Sequence, residues 1–169
     1  SALITALFTV CLALFPASQA VFYTFICRRR SSLGLSCLIL FPSTWVLWEW
    51  VRSWILTGFP WLYAGYSQLH SPLRGYAPLV GVYGLSWITL FLSGALVYLI
   101  LNKKKCRSIV LCIGVLLLFL IAMPLGRVMW TSASKDRLNV SLIQGNIAQS
   151  EKWDNDRIIG ILNRYDTLT

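Results

Sequence analysis

Four apolar stretches, each long enough to cross a bilayer, leave this chain little choice of architecture. They run over about 2–26, 33–56, 78–101 and 109–125, and a membrane's hydrocarbon core takes roughly 20 helical residues. Within lipid every backbone N–H and C=O must be satisfied inside the segment, so each stretch is expected to be a helix. The chain is 57% hydrophobic and 12% charged, well short of the about one quarter charged residues of a soluble domain. Pro16 inside the first stretch is tolerable where neighbouring helices satisfy the freed carbonyl. A cleavable leader would carry its basic residues ahead of a shorter apolar core; here they follow, so a true span is expected. Ser1 opens the chain within an apolar run, and a longer protein is expected.

The net charge of +9 is not spread in the way that nucleic-acid binding requires. Arg28, Arg29 and Arg30 form one cluster, and Lys103, Lys104, Lys105 and Arg107 a second, each at the end of an apolar run. Such clusters mark cytoplasmic loops. With both inside, the spans run inward, outward, inward, outward, and residues 58–77 and 127–169 fall on the outer side. Five cysteines, Cys11, Cys27, Cys37, Cys106 and Cys112, lie in or beside apolar segments without CxxC spacing. Neither a zinc site nor a disulfide framework is indicated. Cys27 and Cys106 adjoin basic clusters, where palmitoylation is the alternative to small apolar filler.

After residue 126 the composition turns polar. Leu138 to Gln144 alternates and reads as a strand, which "QGN" at Gly145 breaks. From Asp154 onward Ile158, Ile161, Leu162, Tyr165 and Leu168 recur at helical spacing, with Asp154 or Asn155 as N-cap. A strand, a loop and an amphipathic helix open an α/β domain. The division is therefore a helical bundle over 1–126 and the start of a second domain over 127–169. The roughly thirty residues of strand, loop and helix cannot bury a core of their own, since units below about 40 residues need staples.

Glu49 and Arg52 stand three residues apart on one face of the second span. An ionisable residue at bilayer depth costs roughly 2.5–3.5 kcal/mol. Two readings stay open: an ion pair near the outer end that steadies the bundle, or a polar pocket for a lipid headgroup or polar substrate. Trp45, Trp48, Trp50 and Trp54 surround the pair, more than an interfacial belt needs. Gly58 and Pro60 then stop the helix. Trp61, Tyr63 and Tyr66 follow at headgroup height, and then Ser67, Gln68, His70 and a second turn at Arg74. His70, with no nearby Asp, Glu or Cys, does not make a metal site or a general base. Gly145 could end a strand without touching a ligand, and Trp153 could merely cover the helix behind it.

The motifs go further. "EWVRSWILTGFPWLYAGYSQ" resembles the signature of the bacterial apolipoprotein N-acyltransferases, with Glu49, Arg52, Gly58, Pro60, Trp61, Gly65, Tyr66 and Gln68 in place. "VSLIQGNIAQSEKWD" resembles the first strand and loop of that family's nitrilase-like domain, through Gln144, Gly145, Asn146, Gln149, Lys152, Trp153 and Asp154. Ala148 stands where Pro is usual. The resemblance implies a polytopic inner-membrane protein carrying a periplasmic α-β-β-α sandwich of the carbon–nitrogen hydrolase superfamily. It implies covalent catalysis: a cysteine thiolate takes an acyl chain from a membrane phospholipid and passes it to the diacylglyceryl-cysteine amine that begins an apolipoprotein. A glutamate acts as base and a lysine steadies the oxyanion; no metal or diffusible cofactor is implied. In the family that Glu–Lys–Cys triad follows the first strand and helix, so it is expected beyond Thr169, with no catalytic residue in this chain. Trp61, Tyr66, Gln68, Trp153, Glu49 and Arg52 are then candidates for lipid access, and Gly58, Pro60, Gln144, Gly145 and Asn146 for its framework. A membrane-anchored nitrilase-type amidase is one rival, although it needs no aromatic surface at the bilayer. A non-enzymatic transporter or scaffold is another, although no second, symmetric broken span supports it.

Overall fold

In a computed structural model of the chain the described residues are 2–28, 32–102, 104–132 and 139–168, the side chain of Leu56 excepted. They fall into two compact units, Ser1–Trp130 and Thr131–Thr169. The first holds α1 (Ala2–Cys27), α2 (Leu33–Arg52), α3 (Ala77–Leu101) and α4 (Lys105–Leu125). With the turn Pro72–Tyr76 counted into the third, four helices among the described residues are long and apolar enough to cross a membrane.

Ser32 caps α2, its hydroxyl accepting from the Leu35 N–H at 3.3 Å. The helix widens to a π turn over Ser36–Leu40 just ahead of the buried Pro42, where an α-helical bond to a proline nitrogen is impossible. It ends at Arg52, short of the 56 read from hydropathy, because the chain turns back on itself. Thr57 and Gly58 take φ of 75° and 86°, and the Phe59 N–H returns to the Arg52 carbonyl at 2.8 Å. That bond satisfies one of the carbonyls a helix end leaves open. Gly58 alone fits: a Cβ would strike the Ser53 carbonyl. α3 is kinked at Gly81, φ 63°.

α2 lies between α1 and α3, and polar side chains tie the three, as expected where lipid supplies no hydrophobic drive between helices. Gln19 donates to Thr44 Oγ1 at 2.9 Å, Trp48 Nε1 to Ser18 Oγ at 2.7 Å, and Trp87 Nε1 to Ser43 Oγ at 3.1 Å. Close approach is set by Gly94, whose Cβ would meet the Cys37 carbonyl. The buried core sits at the other end, where Leu73, Leu85 and Ala122 meet beneath Ile88, Leu92, Leu118 and Phe119. There Tyr76 Oη donates to the Leu118 carbonyl at 2.8 Å. These pairings place Arg28, Lys104, Lys105 and Arg107 at one end of the bundle and residues 53–76 at the opposite end.

The second unit contains a 3-10 turn, Asn155–Arg157, and α5 (Ile158–Leu168). Asp154 caps the turn, accepting from the Asp156 N–H at 3.1 Å. The strand expected over 138–144 does not form: residues 139–144 have no strand structure, and Leu138 lies outside the described residues. Alternation supplies a face to bury, but a strand exists only with a partner to complete its ladder. None is present among the described residues. α5 accordingly buries no residue.

Candidate functional site

Glu49 lies about 24 Å along α2 from Leu33 at 1.5 Å per residue, near the far boundary of a hydrocarbon layer about 30 Å thick. It is 3% exposed, yet it does not pair with Arg52. Glu49 Oε1 accepts from the Ala64 N–H at 2.7 Å and from Trp45 Nε1 at 3.1 Å. Arg52 Nη2 donates to the carbonyls of Trp61 at 3.1 Å and Leu62 at 3.3 Å. The two ionisable residues therefore clamp the backbone of the loop 58–64 onto the end of α2. The clamp holds Leu62 at φ 63°, a conformation that costs a non-glycine residue about 1–3 kcal/mol unless its surroundings enforce it.

The clamp sorts the aromatic side chains. Tyr63 turns inward, 5% exposed, stacked on Tyr66 with ring centroids 5.7 Å apart and lying beneath the Arg52 guanidinium at 5.5 Å. Burial, then its hydrogen bond with Tyr83, push the Tyr63 phenol up to about 12, so it stays neutral across the physiological range. Trp61 and Tyr66 remain exposed, with Phe59 bridging Trp61 to Phe8 of α1 through ring contacts of 5.2 and 5.7 Å. Pro60 is exposed between them. Gly65 is buried, its N–H bonded to Ser86 Oγ at 2.8 Å, and a Cβ there would strike the Val82 carbonyl. Gln68 folds into its own turn, accepting from Ser71 Oγ at 2.7 Å and donating to Ser67 Oγ at 3.0 Å.

Of the four tryptophans around the pair, Trp45 and Trp48 belong to the site. Trp50 and Trp54 pack edge to face on the outer surface, centroids 5.5 Å apart. Phe15, Pro16 and Gln19 of α1 face Trp45, Trp48, Glu49 and Arg52 of α2 across a cleft of about 90 Å³. Glu49 Oε2 and Arg52 Nε are buried without a hydrogen-bond partner. The arrangement offers a hydrogen-bond acceptor and a donor within an aromatic lining.

In the second unit Gly145 is buried, with no room for a Cβ beside the Tyr165 ring. Asn146 takes φ 48° and Gln144 is exposed. Trp153 does not cover the helix that follows: it is 79% exposed, with Lys152 Nζ 5.9 Å from its ring centroid. Arg157 instead ties the loop together through Glu151 and Asp154.

Residues 1–95 match the family described as the apolipoprotein N-acyltransferase N-terminal domain. Proteins named apolipoprotein N-acyltransferase match over the rest as well: that of Coxiella burnetii is 43% identical over 167 residues, 99% of this chain and 34% of its own length. This chain belongs to the apolipoprotein N-acyltransferase family. The Methylococcus capsulatus protein of that name is 37% identical over 98% of this chain and 32% of its own length, and the Shewanella oneidensis protein 37% over 100% and 32%. The chain thus spans about a third of the length of these curated relatives. With its four candidate spans this N-acyltransferase family member is a multi-pass membrane protein.

Sequence reasoning missed Ser86, Tyr83, Gln19 and Thr44. Gln19 carried a usable signal, since an amide inside an apolar span needs a partner. Ser86 carried none, because only the path of the loop shows that its hydroxyl meets Gly65.

Proposed function

We propose that this chain is the membrane-side part of an enzyme of the bacterial inner membrane that moves an acyl chain from a phospholipid to the N-terminal amine of an apolipoprotein. Residues 58–77 and 127–169 face the periplasm, and the basic clusters 28–30 and 103–107 the cytoplasm. Residues 1–126 form the membrane bundle and 127–169 begin a nitrilase-like domain. In the whole protein a cysteine thiolate adds to the ester carbonyl of the phospholipid, and the lysophospholipid leaves as its alcohol after taking a proton. The diacylglyceryl-cysteine amine then adds to the thioester, and the thiol departs. A glutamate and a lysine of that domain serve as base and oxyanion donor. None of the cysteines of this chain is the nucleophile: Cys11, Cys27, Cys37, Cys106 and Cys112 all belong to the helices of the bundle.

The observation that carries this reading is the clamped loop. It keeps Trp61 and Tyr66 exposed at the membrane boundary on a backbone fixed by Glu49 and Arg52, a surface suited to a lipid substrate. Gln68 shapes the turn beside it, Gly58 and Pro60 its path, and Trp153 offers an exposed aromatic face at the start of the soluble domain, after the Gln144–Gly145–Asn146 segment. Full-length protein in phospholipid nanodiscs, given labelled phospholipid and a diacylglyceryl-cysteine peptide, tests it. Trp61→Ala with Trp153→Ala should cut peptide acylation at least ten-fold with membrane insertion unchanged. Turnover equal to the wild type would leave those residues only a belt, and hydrolysis of a small soluble amide without lipid would favour the amidase.

A further inference from the structure

At the end of the bundle remote from Lys104 and Lys105, a cleft of about 440 Å³ opens between the turn Pro72–Tyr76 and the end of α4. His70, Ser71, Arg74, Met123, Gly126 and Arg127 line it. Close backbone approach builds it. A Cβ on Gly75 would strike the Ala122 carbonyl, and the Gly126 Cβ position lies 3.8 Å from Gly75 Cα. Arg74 and Arg127, distant in sequence, thereby reach the walls of one cleft.

Among the described residues of the bundle nothing acidic balances them. Glu49 is the only Asp or Glu in residues 1–132, and it is committed to Ala64 and Trp45. Among the described residues neither arginine is in an ion pair, and both side chains are exposed. Ser71 is spent on Gln68 and the Leu73 N–H, whereas the His70 ring is exposed and has an N–H to donate. Membrane insertion gathers basic residues at one end of a bundle, and here that end holds Arg28, Lys104, Lys105 and Arg107. Insertion therefore gives no account of Arg74 and Arg127 at the other.

From this geometry we infer that the cleft binds a phosphate group, gripped by the guanidinium forks of Arg74 and Arg127 with His70 as a further donor. The fork matches phosphate oxygens two at a time, which a lysine ammonium does not. The phosphate is that of a membrane phospholipid: the cleft opens where α3 begins and α4 ends, and Leu69 and Met123 beside it are 59% and 54% exposed. This site is separate from the clamped loop, and its readout is lipid retention, which does not depend on acyl transfer.

Native mass spectrometry of the full-length protein with added phosphatidylglycerol tests it. Arg74→Gln and Arg127→Gln should each lower retention about five-fold, the worth of one basic residue near an anionic surface, and the pair about 25-fold. Both side chains are exposed, so the variants should melt with the wild type. Millimolar inorganic phosphate should leave the lipid bound; displacement by it would keep the phosphate site but overturn the assignment of the phospholipid, rather than free phosphate, as its favoured occupant. Retention at the wild-type level in the Gln pair would overturn the inference. Wild-type retention in an Arg74→Lys, Arg127→Lys pair would reduce it to general surface charge.

Discussion

Replacing Glu49 by alanine isolates what the clamp contributes. The carboxylate accepts from the Ala64 N–H and Trp45 Nε1 at 2.7 and 3.1 Å, and bonds to a charged acceptor are worth about 1.5–3 kcal/mol each. Their sum is about 3–6 kcal/mol, but the alanine variant no longer buries a charge, a cost of several kcal/mol. The lower figure, about 3 kcal/mol, is therefore the expected loss. Hydrogen exchange follows the free energy of local opening, so at 1.36 kcal/mol per decade the Ala64 amide should exchange about two orders of magnitude faster. Glu49→Gln keeps an acceptor at Oε1 and loses the charge, and should fall near one order. The assay is exchange on full-length protein in nanodiscs, read on peptides spanning residues 59–66, with peptides from α4 as internal reference. If Ala64 in Glu49→Ala exchanged within three-fold of the wild type, the loop would owe its path to Gly58 and Gly65, and the clamp argument would be wrong.

Gly94→Val and Gly75→Val each drive a side chain into a backbone carbonyl, of Cys37 and Ala122 respectively, and should lower the thermal midpoint of the reconstituted protein by several degrees; an unchanged midpoint would show that the helices can separate without cost. Gly58→Ala combines φ 86° with the Ser53 clash and should release Trp61, seen as a red-shifted, more quenchable tryptophan emission. Because the Tyr63 phenol is raised to about 12 from an ordinary value near 10, its contribution is complete below about pH 10 and lost as pH climbs toward 12. Tyr63→Phe should therefore flatten the alkaline fall in stability, measured by circular dichroism from pH 9 to 12, and an identical fall in both proteins would contradict that assignment.

The four spans were readable because a bilayer imposes length and hydropathy together, and both are local properties of sequence. Helix ends were less so. α2 stops at Arg52 because the Phe59 N–H reaches back to it, a contact that hydropathy cannot register while Trp54 and Ile55 remain apolar. Glu49 and Arg52 were recognisable as unusual from their depth alone, and their shared face suggested each other as partners. Apart from Trp45 Nε1, their partners are backbone groups of the loop, invisible to any reading of side-chain types. Tyr63 and Tyr66 looked equivalent in composition, and only the stacking of one under Arg52 separates them. The strand at 138–144 was legible as alternation, but pairing is a property of two segments.

The clamp also separates two kinds of inheritance. Arg52 holds the carbonyls of Trp61 and Leu62, and Glu49 holds the amide of Ala64. These groups are common to nearly every amino acid, so the grip is blind to the letters written at 61, 62 and 64. Substitutions there can retune what the surface meets while the main chain keeps its course. A library randomised at those three positions, with Glu49, Arg52, Gly58 and Gly65 left alone, would be the natural place to seek a changed exposed surface on an unchanged main-chain path. The handle and the blade of this tool are encoded in different parts of the chain.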